Sequence, residues 1–222
     1  MSTPVPVPLL DQKLTAPGSP FEMEEVDING LRTRVWKQAK PHLRAILEDT
    51  LQFAERDYLV YESERMTYGR HYQQVAALAH ALIEDYGIGR GDRVALTMRN
   101  YPEWPVIFWA TVSVGAVIVP LNAWWTGREL EYAIDNCGAR LVFADQQRAS
   151  LLAGACDHIH TLEKLIVIRG EDNAISPNED RFEDLLQRQS QREKLPEIDI
   201  APDDDASIYY TSGTTGNPKG VV

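Results

Sequence analysis

Residues 91–145 read GDRVALTMRNYPEWPVIFWATVSVGAVIVPLNAWWTGRELEYAIDNCGARLVFAD. Short apolar runs alternate here with longer segments of helical spacing. Arg93–Met98 (RVALTM) is read as a buried strand. The turn Asn100-Tyr101-Pro102 then opens a very apolar helix from about Glu103 to Val114, stopped by Gly115. Val117–Leu121 (VIVPL) is the next strand, with Pro120 at its end because proline cannot donate to a sheet ladder. In Thr126-Gly127-Arg128-Glu129 a hydroxyl stands at the N-cap and a carboxylate three residues on, the form of a capping box. It starts a helix to Cys137, with Gly138 as the stop, and Leu141–Ala144 (LVFA) is a further strand. A helix near Ala149–Cys156 and a strand at Leu165–Ile168 continue the pattern. Such alternation predicts an α/β fold with mainly parallel sheets flanked by helices.

Upstream, Val75, Leu78, Ala79, Leu82 and Tyr86 step by three or four and predict an amphipathic helix over Arg70–Tyr86, capped at Gly87. His42–Ala54 has near-helical spacing, and Asp57–Tyr68 reads as a short hairpin. The first twenty residues hold five prolines and neither a basic cluster nor a sustained apolar run, so they are not a secretory signal. Residues 1–30 are expected to be an extended or disordered leader and 31–170 an α/β subdomain. Residues 171–205 carry twelve acidic against four basic residues, most of the net charge of the chain. They are expected to form a solvated acidic connector with one short helix near Asp180–Gln189. Residues 206–222 then begin the next subdomain.

The 222 residues are 44% hydrophobic and 25% charged, in the range of ordinary globular proteins. Against 33 acidic residues there are 22 basic ones, a net of −11, which argues against a broad nucleic-acid or anionic-membrane surface. Any phosphate contact must be local. The longest apolar stretch, Trp104–Pro120, is interrupted by Pro105 and Gly115 and falls short of a membrane span, so no transmembrane segment is expected. Two cysteines, Cys137 and Cys156, lack metal-ligand spacing and fit free thiols in a cytoplasmic protein.

The chemistry is concentrated in residues 206–222, ASIYYTSGTTGNPKGVV. Glycines 213, 216 and 220 let backbone N–H groups approach a ligand closely. Thr211, Ser212, Thr214 and Thr215 add hydroxyls, and Lys219 adds a compact positive charge, so the stretch combines donors and a cation as a polyphosphate cradle requires. It is not a Walker A loop, because Lys219 is followed by Gly220 rather than by Ser or Thr. Nor is Gly87-Ile88-Gly89-Arg90-Gly91-Asp92 a dinucleotide fingerprint, since it puts Asp at the third glycine and precedes a strand.

The eleven residues Tyr210–Gly220 (YTSGTTGNPKG) resemble the signature phosphate loop of the adenylate-forming superfamily, which includes acyl-CoA synthetases, firefly luciferase and the adenylation domains of peptide synthetases. The upstream stretches GDRVALTMRNYPEW and GAVIVPLNAWWTGRELEYAIDNCGARLVFAD are similar to these enzymes too, most of all to bacterial ligases that activate fatty acids. The resemblance spans about Tyr58–Val222. It implies the first part of a large N-terminal domain, and a reaction in which a carboxylate attacks the α-phosphate of Mg-ATP before coenzyme A takes the acyl group. Thr211, Ser212, Gly213, Thr214, Thr215, Gly216, Lys219 and Gly220 would then bind the phosphates, with Lys219 stabilising the leaving pyrophosphate. Thr211 would also help hold Mg2+. On the same resemblance the chain is the N-terminal portion of a longer enzyme, inactive by itself, because the adenine site, the ribose-binding aspartate and the mobile C-terminal domain follow this loop in the family. The partner expected is a small-molecule carboxylate, a fatty acid first; a homodimer is allowed, with no interface legible. The alternatives are an amino-acid or aryl-acid adenylating enzyme, or a noncatalytic phosphate-binding module.

Other residues fit structural roles. His158 and His160 lack a third ligand for a metal, and His71 and His80 are expected on a solvated helix face. Trp124 and Trp125 are expected to anchor a core or loop rather than line an acyl tunnel. Ser212 has no base or nucleophile elbow.

Overall fold

A computed structural model of the chain describes residues 7–28, 30–171, 176–211 and 218–222. The chain divides into two units, Met1–Pro41 and His42–Val222.

The first unit contains helix α1 (Val7–Leu14) and an antiparallel hairpin, β1 (Met23–Ile28) and β2 (Leu31–Trp36), in register from Met23↔Trp36 to Ile28↔Leu31. Phe21 packs edge-on against Trp36, and Lys37 pairs with Glu22 at 2.9 Å. The expected extended leader is therefore structured from Val7 onward, and its boundary at residue 30 falls inside the hairpin. Val26 and Ile28 pair with Thr33 and Leu31, a β pattern too short and too polar to stand out against five nearby prolines.

The second unit opens with α2 (Leu43–Asp49), continued by a 3-10 turn at Thr50–Phe53, and the hairpin β3 (Asp57–Tyr61) and β4 (Glu64–Thr67). Then follow α3 (Tyr68–Glu84), β5 (Arg93–Thr97), α4 (Glu103–Ser113), β6 (Val117–Pro120), α5 (Gly127–Cys137) and β7 (Leu141–Asp145). After these come α6 (Gln146–Leu151), α7 (Ala155–His158), β8 (Lys164–Ile168), β9 (Glu179–Arg181) and α8 (Phe182–Arg188). The unit closes on β10 (Tyr209–Thr211) and β11 (Lys219–Val221).

Five strands form one parallel sheet in the order β6-β5-β7-β8-β9. Alternate residues of each strand serve opposite faces, as a pleated strand requires. Val94, Leu96, Ile118, Phe143 and Ile166 pack with α3, α4 and α8 on one face. Ala95, Val119, Val142, Ala144 and Leu165 pack with α5, α6 and α7 on the other. Both faces are covered, which is why the strands read as unbroken apolar runs rather than as alternating ones.

The helix ends follow from local chemistry. Thr126 and Glu129 form the expected capping box, and Gly138 ends α5 at φ 64. The N–H of Gly138 reaches the Asp135 carbonyl at 3.0 Å and that of Ala139 reaches Ile134 at 3.1 Å, satisfying carbonyls the helix leaves free. A Cβ at position 138 would lie 2.8 Å from Arg93 Nη2, and that guanidinium itself binds the carbonyls of Cys137 and Gly138. Pro105 stands in the first turn of α4, where a missing N–H costs nothing.

Three further expectations differ from the structure. The single helix near Ala149–Cys156 is two short helices, parted at Gly154 with φ 79. The acidic stretch is mostly exposed and holds the expected short helix, but it is more than a connector: Glu179–Arg181 extends the sheet as β9, and Phe182, Leu185 and Leu195 are buried. Some of its charges are partnered, Arg188 with Asp85, Arg192 with Glu84, and Asp180 with both Lys164 and the Tyr86 phenol. A net-charge count averages over these few apolar anchors. Finally, His71 lies fully buried in α3, its ring 4.7 Å from that of Tyr58, rather than on a solvated face.

Candidate functional site

The chain runs from β5 through α4, on one face, to β6; it returns through α5, on the other face, to β7 on the far side of β5. Between β5 and β7 the connections therefore diverge, the place where open α/β sheets form a crevice at the carboxyl ends of their strands. Here the crevice is filled by protein. Asp145 accepts from the Arg99 N–H at 2.9 Å and caps α6 by accepting from the Arg148 N–H at 3.1 Å. The Arg148 guanidinium turns back onto the same carboxylate at 3.2 Å and donates to the Ala123 carbonyl at 2.7 Å. Both residues are 4% exposed. Above them the Arg99 guanidinium lies 4.3 Å from the Trp124 ring centroid, and that indole is 74% exposed. None of Arg99, Asp145 and Arg148 was singled out in the sequence, although each stands in the first residues after a strand or at its last position.

The glycine- and hydroxyl-rich stretch enters beside the sheet edge. The Ile118 N–H donates to the Ala206 carbonyl at 3.1 Å and the Ile208 N–H to the Ile118 carbonyl at 2.9 Å, a parallel bridge that sends residues 206–208 along β6 in its own direction. The chain then forms β10, which pairs antiparallel with β11 in the register Tyr209↔Val221, Tyr210↔Gly220 and Thr211↔Lys219. Thr211 and Lys219 are thus directly opposed and both are exposed, with the Thr211 hydroxyl 3.5 Å from the Lys219 carbonyl oxygen. Tyr210 and Gly220 occupy the other face. Of the expected phosphate-binding residues, the structure brings Thr211, Lys219 and Gly220 together; Ser212, Gly213, Thr214, Thr215 and Gly216 lie outside the described residues.

The Tyr210 ring packs edge-on against Trp125, 6.1 Å between centroids, and its phenol donates to Asn136 Oδ1 at 2.7 Å, with the Ala133 carbonyl 3.2 Å away. Burial above all, and then the neighbouring Cys137, raise the phenol's pKa, so it stays a donor at neutral pH. Burial likewise raises the Cys137 and Cys156 thiols, and both cysteines are free. Trp125 therefore serves the loop stem, while Trp124 stands in solvent.

Magnesium calls for about six oxygen ligands. Thr211 offers one neutral oxygen, and among the described residues no group of three His, Cys, Asp or Glu side chains could hold a metal ion. The described residues do not by themselves build a metal site. Within the same residues no helix is long and apolar enough to cross a membrane.

The second unit is thus an α/β protein with a doubly wound parallel sheet and, beside its edge strand β6, a short hairpin that sets Thr211 opposite Lys219. Residues 47–222 match the family model described as AMP-binding enzyme, and the chain belongs to that family. It is 32% identical over 181 residues to the acyl-CoA ligase sidI of Beauveria bassiana (strain ARSEF 2860), covering 78% of this chain and 31% of that protein. To a medium/long-chain-fatty-acid and 3-oxocholest-4-en-26-oate CoA ligase of Mycobacterium marinum it is 30% identical over 175 residues, 76% of this chain and 31% of that one. The anthranilate CoA ligase AuaEII, solved with anthranoyl-AMP, is 27% identical with a TM-score of 0.74, covering 81% of this chain and 34% of that one. The chain spans about a third of the length of the curated relatives it matches.

Proposed function

We propose that this chain supplies the phosphate-handling part of an ATP-dependent acid–thiol ligase. A carboxylate oxygen of the substrate attacks the α-phosphorus of ATP, the bond to the β-phosphate breaks, and pyrophosphate leaves. The sulfur of coenzyme A then attacks the acyl carbon of the adenylate and AMP departs. In the first step Lys219 meets the negative charge that grows on the departing pyrophosphate, and the Thr211 hydroxyl donates to a phosphate oxygen beside it. The observation that carries this reading is the Thr211↔Lys219 register, which sets a hydroxyl and an ammonium on one exposed face. Ser212, Gly213, Thr214, Thr215, Gly216 and Gly220 share the phosphate-binding role in this proposal, Thr211 remains the proposed contact to Mg2+, and the free thiols suit a reducing cytoplasm.

For the acid we favour a fatty acid, with the Mycobacterium marinum ligase as support. An aryl acid is the second reading, favoured by the likeness to the anthranilate ligase. Carboxylate-dependent exchange of labelled pyrophosphate into ATP, by the protein at its natural length, tests both with fatty, aryl and amino acids. Exchange with one class, falling about 100-fold or more in Lys219→Ala as for loss of a transition-state donor, supports the reading. A folded protein that exchanges with no acid refutes it.

A further inference from the structure

Tyr210 carries no chemistry of its own, yet the geometry gives it a task. The β10–β11 ribbon has three residue pairs, and so short a ribbon is marginal by itself. Neither exposed pair specifies its register, because Tyr209↔Val221 and Thr211↔Lys219 both face outward. A slip of one residue would turn every side chain of a strand to the opposite face and carry Lys219 away from Thr211. Among the described residues, it is the Tyr210–Gly220 face that is held. The phenol is bound to α5 through Asn136 Oδ1 at 2.7 Å, and the ring rests on Trp125. The same ring lies across Gly220: a Cβ there would sit 3.3 Å from Tyr210 Cζ and 2.9 Å from Ile208 Cγ2. Glycine is thus the residue that lets the tyrosine cross the ribbon, and a slipped register would put a side chain in the ring's place. This is a separate reason for Gly220 from any contact of its backbone with phosphate.

We infer that Tyr210 is a positioning residue, anchored by Asn136, that pins the register in which the Thr211 hydroxyl and the Lys219 ammonium face a polyphosphate together. The inference rests on the proposed phosphate role of that hairpin for its catalytic consequence, but not for the register itself. Two variants test it in the natural-length protein. Tyr210→Phe keeps the ring and removes the hydroxyl; Asn136→Ala removes the exposed anchor and leaves the tyrosine intact.

In pyrophosphate–ATP exchange, each variant is expected to raise the KM for ATP by about 3- to 10-fold, the range for one lost hydrogen bond. The rate at saturating ATP should change far less. The double variant should be no worse than the poorer single one, because both remove the same contact. Amide hydrogen exchange of residues 219–221 should quicken in both, whatever the activity. Unchanged KM in both variants, multiplying effects in the double, or a lower rate at unchanged KM would overturn the positioning role. Unchanged amide exchange would overturn the register role. A wild-type protein with no exchange activity at all would instead refute the phosphate reading, with amide exchange still deciding whether Tyr210 pins the ribbon.

Discussion

Acidification should destabilise this protein in part through one buried side chain, His71. Its imidazole is fully buried in α3 against the Tyr58 ring. The Pro105 carbonyl comes near enough to favour the charged form slightly, but neither ring nitrogen meets hydrogen-bond geometry, and burial prevails, pushing the pKa down from 6.5 to about 4. Above pH 6.5 the ring is neutral in both folded and unfolded chains, so it adds no pH dependence. Between 6.5 and about 4 the unfolded chain takes up the proton while the folded one refuses it, and stability falls. A gap of that size is worth about 3 kcal/mol once pH 4 is reached, and about 2 kcal/mol at pH 5. The assay is urea unfolding at pH 7.5, 6.5, 5.5 and 4.5 for the wild type and His71→Leu. Carboxylates elsewhere act equally on both proteins and cancel in the difference. The variant should gain on the wild type by about 2.5 kcal/mol across that window, and proton NMR should show the His71 ring untitrated in the folded protein down to about pH 5. A difference that stays flat with pH would refute the reasoning, as would a native His71 resonance that titrates near 6.5.

Two further perturbations test the architecture around the sheet. Asp145→Ala leaves the Arg148 guanidinium buried without its carboxylate and strips the cap from α6, so denaturant unfolding should show a loss of about 3–5 kcal/mol. Replacing both partners, as Asp145→Leu with Arg148→Met, should recover much of that loss, because no uncompensated charge is then buried. Gly138→Ala forces a Cβ into the left-handed region and against Arg93, and should cost about 1–2 kcal/mol in the same assay with the helix content of the folded state unchanged.

Much of this molecule is legible in the chain because the relevant signals are local. The strands at Arg93, Val117, Leu141 and Leu165 are buried on both faces, so their composition announces them. Helix ends are written in single residues such as Thr126, Glu129 and Gly138, whose hydrogen bonds close within a few positions. The hydroxyl- and glycine-rich run of residues 211–220 marks the candidate site by composition alone, and eleven consecutive residues are enough to resemble a family.

What the chain does not disclose depends on partners distant in sequence. His71 has polar neighbours along its helix and becomes buried only because β3 and α4 close over it. The acidic stretch reads as solvated until Phe182 and Leu185 find the sheet, and two of its carboxylates, Asp180 and Asp204, meet Lys164 and Arg90 from elsewhere. Asp145 and Arg148 form a buried pair that also accepts the Arg99 N–H because β7 lies beside β5 in the sheet, although β6 separates the two strands in the chain. The amino-acid order marks a glycine- and hydroxyl-rich loop; the tertiary structure lays the Tyr210 ring across Gly220 and ties its phenol to α5, with Thr211 and Lys219 opposed and exposed. Composition and short-range hydrogen bonds can be read one segment at a time, whereas burial and register are properties of two segments at once.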